Sequence, residues 1–244
     1  MNTKIIHSEM LVGNLQVSVL KKAVKNLHLN VLPPNGKVRV SVPPSMNDDA
    51  VRVFIASKIP WIKRQIEKFK NQARENKREF KNGESHYFQG KRYLLHVVET
   101  DVQTKVMIRN KKYLDVHVQK GADIAQKGKI ITEWYRDELK RQVPALIAKW
   151  EKIIGVKALD WRVKQMKTKW GTCNSQAKRI WINLELAKKP LHCLEYIIVH
   201  ELVHLRERSH NERFVALMDK FMPQWRGHKE ELNKFILTYE EWEN

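Results

Sequence analysis

The chain has 244 residues and only two cysteines, Cys173 and Cys193. Two thiols make no disulfide framework, and they fit a reduced setting. Both read as buried packing residues rather than as half of a Cys/His nucleophile pair. Long apolar runs are missing as well. No stretch approaches the roughly 20 residues that a membrane-spanning helix needs, so no membrane partner is expected. Residues 1–7 lack the apolar core of a signal peptide, which makes the cytoplasm the expected location. Neither an internal repeat nor a low-complexity tract is visible. Acidic side chains are scarce beside basic ones, 27 against 46, for a net charge of +19.

That charge attracts polyanions and raises their encounter rate. One basic run extends from Lys63 to Lys81. A second includes Lys164, Lys167, Lys169, Lys178 and Arg179, and its nearness to the histidine motif at 200–204 makes these the candidate contacts to DNA or RNA. With 42% hydrophobic and 30% charged residues, the composition is that of a globular protein with a sizeable core.

Apolar residues alternate in the first part of the chain. Leu15, Val17 and Val19 make one stripe, Leu27, Leu29 and Val31 another, Val38, Val40 and Val42 a third, each a half-buried strand. Residues 33–36 (Pro-Pro-Asn-Gly) read as a turn. A helix from about residue 47 comes next, then a second helix opening at Pro60, with Trp61, Ile62, Ile66 and Phe69 on its buried face. Residues 70–81 are polar, a helix tail or linker. A second strand group covers 86–89, 91–98, 105–108 and 114–118. A long helix spans 123–154, kinked or divided at Pro144 and ended by Gly155. Residues 162–166 and 179–186 read as the two arms of a hairpin, and a last helix runs from about 225 to 237. Strands and helices are segregated rather than strictly alternating, which predicts an α+β fold. The division expected is a β-rich subdomain with helices over 1–120 and a catalytic domain over 121–244.

The chemistry concentrates in His200-Glu201-Leu202-Val203-His204. Residues four apart share a helix face, so His200 and His204 can hold one metal ion together. Glu201 adjoins the first ligand and can reach a water on the metal; this is the HExxH arrangement of zinc hydrolases. A catalytic zinc takes a third protein ligand, and His210 is the nearest candidate. Six residues past His204 on a continuous helix it would point away, so the helix must end between them. Ser209 and Glu212 read as a capping box opening a further helix with Phe214, Leu217, Met218 and Phe221 as its apolar stripe. The segment 194–205 is apolar enough to be a largely buried helix, where an unpartnered His or Glu is costly and ligation removes the cost.

These residues carry a resemblance. The segment from Met166 to Cys173 with its Trp170-Gly171-Thr172-Cys173 core, then Ile182-Asn183, the stretch from Tyr196 to Leu205, His210 and Phe214 resemble the YgjP-like metallopeptidase family over nearly the whole chain. Thr172 stands where that family has Ser, Ser209 where it has Asn, and Val215 where it has Trp. The resemblance implies a compact, zincin-like (gluzincin-like) catalytic domain with a small antiparallel sheet and the HExxH helix, similar to SprT-like and WLM proteases, several of which act on DNA-attached proteins. It implies Zn2+ as cofactor, His200, His204 and His210 as ligands, Glu201 as base, and a protein or peptide substrate. Metzincins share the ligand spacing but have Gly where this chain has Glu207.

A hydrolase of this kind needs a second group to stabilise oxyanion charge. Tyr196, Lys167 and His228 are the candidates, and Lys167, Trp170 and Tyr196 are the candidate substrate contacts. Two other functions fit parts of the pattern. A metal-dependent phosphohydrolase acting on nucleotides would use the positive charge, although no second carboxylate-rich cluster is visible. A non-catalytic, zinc-stabilised nucleic-acid-binding module would leave Glu201 without a task.

Overall fold

A computed structural model describes residues 6–32, 36–71, 78–166 and 169–234. The chain divides into two compact units, Met1–Glu75 and Asn76–Thr238.

In the first unit the strands are β1 (Ile6–Val12), β2 (Leu15–Lys21), β3 (His28–Leu32) and β4 (Lys37–Val42), and helix α1 (Asp48–Asn71) comes after them. Their order in the sheet is β1-β2-β4-β3. β2 and β4 run parallel; the outer pairs are antiparallel. The alternating valines do what their period of two demands. Val17, Val19, Val38, Val40 and Val42 are buried with Val51, Ile55 and Ile62 of α1. α1 is one helix with Pro60 inside it, where the sequence suggested two. Proline forfeits a single N–H at that turn, while Ile55 and Ile62 on either side stay fully buried. Trp61, expected on the buried face, is exposed. Residues 33–35 of the expected turn, the side chain of Phe69, and residues 72–77 of the polar tail lie outside the described residues.

The second unit begins with β5 (Ser85–Phe88), β6 (Lys91–Glu99), β7 (Lys105–Arg109), β8 (Tyr113–Val118) and helix α2 (Ile124–Ile154). The sheet order is β5-β6-β8-β7, again with the central pair parallel and the outer pairs antiparallel. Four strands and a helix thus occur twice with one topology, a repeat that the residues themselves do not show. α2 runs undivided through Pro144. Asp123 caps it with a capping box completed by Gln126, and Gly155 ends it in the left-handed conformation (φ 72°) that favours glycine.

The unit continues with β9 (Asp160–Lys164), β10 (Gly171–Asn174) and β11 (Arg179–Asn183), a 3-10 turn (Leu184–Lys188), and helices α3 (Leu191–Val203), α4 (Glu212–Phe221) and α5 (Trp225–Lys234). The expected hairpin between 162–166 and 179–186 is corrected. β9 and β11 are parallel, and the hairpin is formed by β10 and β11. β10 is an edge strand in the order β10-β11-β9. Residues 235–237 of the expected last helix lie outside the described residues.

One contiguous core joins Leu95, Leu114 and Val116 of the β5–β8 sheet with Leu139 and Val143 of α2, and with Ile198 and Leu202 of α3. The boundary between the units therefore falls near residue 75 rather than after 120, because the inner face of this sheet is covered by α2. Among the described residues no helix is long and apolar enough to cross a membrane.

Candidate metal centre

α3 is apolar on nearly every side and buried through Tyr196, Ile197, Ile198, Val199, Leu202 and Val203. His200 and Glu201 are thus fixed in position by packing. The helix stops at Val203, with His204 as its last half-helical residue. The chain then turns tightly, the amides of Arg206 and Glu207 both donating to the Val203 carbonyl. That turn brings His210 back beside the helix end.

Three imidazoles converge there. His200 Nε2 is 3.2 Å from His204 Nε2 and 3.0 Å from His210 Nε2. Nitrogens bound to a tetrahedral zinc at about 2.0–2.1 Å stand about 3.3 Å apart, so the spacing fits that ion. The donor chemistry fits as well. His204 Nδ1 donates to the Glu207 carbonyl at 3.0 Å, which leaves its Nε2 lone pair facing inward. Burial pushes the His200 imidazole down to about 3, aided by the neighbouring His204 and His210, and burial likewise lowers His204. Neutral rings are what a metal ion requires. His200 Nδ1 is buried without a hydrogen-bond partner. A single cation among the three facing Nε2 atoms can take a lone pair from each ring at once.

Phe214 organises the three rings. Its centroid lies 4.9, 4.7 and 4.8 Å from those of His200, His204 and His210. The capping box expected at Ser209 is corrected: Asn211 is the N-cap of α4, its side chain accepting the Phe214 amide at 3.0 Å. Asparagine ranks with the strongest N-cap residues. His210 consequently lies in the loop just before the helix rather than in its first turn.

Glu201 is 4% exposed. Burial pushes its carboxyl up to about 8, opposed by the positive charge of Lys169. Its side chain lies against Gly171 of β10; a Cβ on that glycine would stand 2.6 Å from Glu201 Oε1 and 2.7 Å from Ile197 Cγ2. Sequence spacing gave no hint of this contact. Only the Trp-Gly-Thr-Cys segment of the family resemblance marked the position.

A cleft of about 450 Å3 opens over these groups, with Lys169, Trp170, Tyr196, Arg208 and Lys229 among its walls. Gly171, Thr172 and Cys173 of edge strand β10 also face it. Asn183, fully buried, holds the preceding loop: its Nδ2 donates to the carbonyls of Met166 and Lys169. Burial raises the thiols of Cys173 to about 11 and Cys193 to about 12, so both stay protonated at neutral pH.

The remaining sequence candidates are distributed. Trp170, Tyr196 and Lys169 reach the cleft, and His228 is not among its lining residues. Lys167 lies outside the described residues. Lys164 and Lys178 are exposed, Lys164 resting over the Trp181 ring. Arg179 is engaged by Asp160 at 2.8 Å.

A family model described as YgjP-like, metallopeptidase domain, matches residues 25–235. The chain belongs to that family. It is also similar to the crystal structure of the metallopeptidase zymogen of Pyrococcus abyssi abylysin, at 19% identity and a TM-score of 0.35, covering 37% of this chain and 90% of that one. The corresponding zymogen of Methanocaldococcus jannaschii jannalysin shows 17% identity and a TM-score of 0.34, covering 38% of this chain and 94% of that one. No curated protein matches the sequence. Of the YgjP-like segments, the Trp170–Cys173 segment, the helix with His200 and Glu201, and the His210–Phe214 segment meet at one place.

Proposed function

We propose that this protein is a zinc-dependent, zincin-like peptidase in which His200, His204 and His210 hold the ion and Glu201 is the general base. The observation that carries the reading is the convergence of three Nε2 atoms beside a buried carboxylate, in a cleft walled by an edge strand. Zinc bound there supplies a Lewis acid that polarises a scissile carbonyl and makes water acidic.

The chain's own groups supply the rest. Glu201 accepts a proton from the attacking water and returns it to the leaving amine. Its contact with the bare backbone of Gly171 keeps the carboxylate in one position. An extended peptide can add to the open edge of β10, its backbone pairing with residues 171–173. Tyr196 is buried, and burial pushes its phenol up to about 12, so it remains a neutral donor. Of the oxyanion candidates it is the described one that lines the cleft.

The test is metal content combined with proteolysis of mixed protein substrates. Wild-type protein should bind zinc and cleave; Glu201→Gln should keep its zinc and lose turnover. Full activity in that variant would sink the mechanism.

One observation favours a second reading. Lys169, Arg208 and Lys229 surround the cleft, and Glu201 is its one carboxylate among the described residues. That field suits a phosphorylated substrate, such as a nucleoside triphosphate. Release of phosphate or pyrophosphate without cleavage of casein would decide for it. A nucleic-acid partner would rest on Lys164, Lys169 and Lys178, and a steep loss of binding to DNA with salt would reveal it.

A further inference from the structure

A second set of metal-ligating side chains stands outside the cleft. His192, His228 and Glu231 each bring one ligand atom to within 4.8 Å of the others. His192 sits in the first turn of α3. His228 and Glu231 are three residues apart on α5, hence on one face. His192 Nε2 lies 2.6 Å from Glu231 Oε2, and the rings of His192 and His228 are 4.9 Å apart. None of the three lines the cleft. His192 precedes His200 by eight residues, roughly 12 Å along a helix axis. Paired hydrolytic metals stand about 3.5–4 Å apart, so these residues are not the other half of the first centre.

A hydrogen bond between His192 and Glu231 accounts for two of the groups and leaves the third. The His228 ring makes no hydrogen bond with another described residue, although two carboxylates, Glu231 and Glu195, lie near enough to act on its charge. Glu195 is itself held by Lys149 and the Trp150 indole. Two imidazoles and a carboxylate are a donor set that zinc accepts in four-coordinate sites with one position left to solvent. All three ligands are partly exposed, which gives an ion a path in.

We propose that His192, His228 and Glu231 form a second divalent-cation site, suited to zinc, that clamps α5 to the start of α3. The position gives the clamp a consequence. α5 contributes Lys229, Leu232 and Asn233 to the wall of the cleft, so a cation here fixes that wall without taking part in bond cleavage.

The whole 244-residue chain, saturated with Zn2+ and then freed of loosely bound ion, tests the site by metal analysis. Wild type should hold two zinc ions per chain. Glu231→Gln, which keeps a hydrogen-bonding partner for His192, should hold one; so should His228→Ala and His204→Ala. The double variant His204→Ala/Glu231→Gln should hold close to none. One ion in wild type, unchanged by Glu231→Gln and lost in His204→Ala, would overturn the second site and leave the first standing. Thermal melting adds a reading that is independent of activity. Zn2+ should raise the Tm of His204→Ala, and the added Glu231→Gln change should abolish the rise. No rise in His204→Ala would overturn the proposal.

Discussion

The two four-strand-and-helix units share strand order, strand direction and even a proline inside the helix, yet it is the second that packs in one core with the helix that bears His200 and Glu201. The difference lies in the helix. α1 buries one face, through Val51, Ile55 and Ile62. α2 is longer and buries Ile131, Tyr135, Leu139, Val143, Ile147 and Trp150 along its length. Its stripe serves the β5–β8 sheet and helix α3 in one continuous core. A repeat unit of this kind becomes a platform when its helix has a second partner to hold, and the candidate site belongs to that partner.

The sharpest break of the comparison removes the chemistry and nothing else. Glu201→Gln should lower peptidase turnover on the order of a thousandfold, the scale of lost general acid–base catalysis. Zinc content should stay at the wild-type value by metal analysis. Glu201 is buried beside Gly171, so the isosteric amide fits the same space. Gly171→Ala should act on the same carboxylate from the other side, by displacing it. Activity should fall by at least tenfold with zinc retained, as steady-state assays and metal analysis would show.

Matched cavities in the two helices come next. Leu139→Ala in α2 and Ile55→Ala in α1 each empty a fully buried site. Each should cost about 2–5 kcal/mol in its own unit, read by calorimetry. Leu139→Ala should weaken zinc retention more than Ile55→Ala does, since α2 packs in one core with the helix that holds His200. Equal loss of zinc in both variants would erase the distinction drawn between the helices.

How much of this was legible depended on whether a residue's task is local or shared across elements. β2, β3 and β4 showed themselves because alternating apolar residues are a local signal. β1 did not: only Met10 and Val12 of its seven residues are buried. β10 is four residues without apolar alternation, and the parallel partnership of β9 and β11 is a tertiary choice. His200, Glu201 and His204 were readable from spacing on one helix turn. His210 emerged from the need for a third ligand, although its cap was misplaced, because Ser209 and Asn211 both carry the capping chemistry. Gly171 and Phe214 work through contacts with other elements, and no spacing rule sees those.

Acid should separate the units further. His86 of the second unit is buried, and burial together with the Arg78 charge lowers its imidazole to about 4. The unfolded chain protonates this group near 6.5. Between those values the unfolded state binds more protons, so stability falls as pH drops from about 6.5 to about 4, then levels off. The contribution is about 3 kcal/mol. Denaturant unfolding at pH 7 and pH 4 should show the loss, and His86→Gln should remove that part of it. The first unit buries no histidine among its described residues, so the His86 substitution should leave its acid sensitivity as it is.

The smallest expected effects come from two caps of the same chemistry. Asn47 accepts the Ala50 amide at 2.7 Å where α1 begins, and Asn211 accepts the Phe214 amide at 3.0 Å where α4 begins. Alanine at either should cost about 1 kcal/mol of stability. The two sites differ in the residues around the cap. The residue whose amide Asn211 fixes is Phe214, whose ring touches all three histidines, and the residue before the cap is His210. Asn211→Ala should therefore also loosen zinc, raising its dissociation constant severalfold in competition with a chelator, and Asn211→Ser should restore it. Asn47→Ala should leave that constant unchanged. A cap supports a helix in either unit; it supports the three-histidine cluster only where the first turn of that helix carries the ring on which the imidazoles rest.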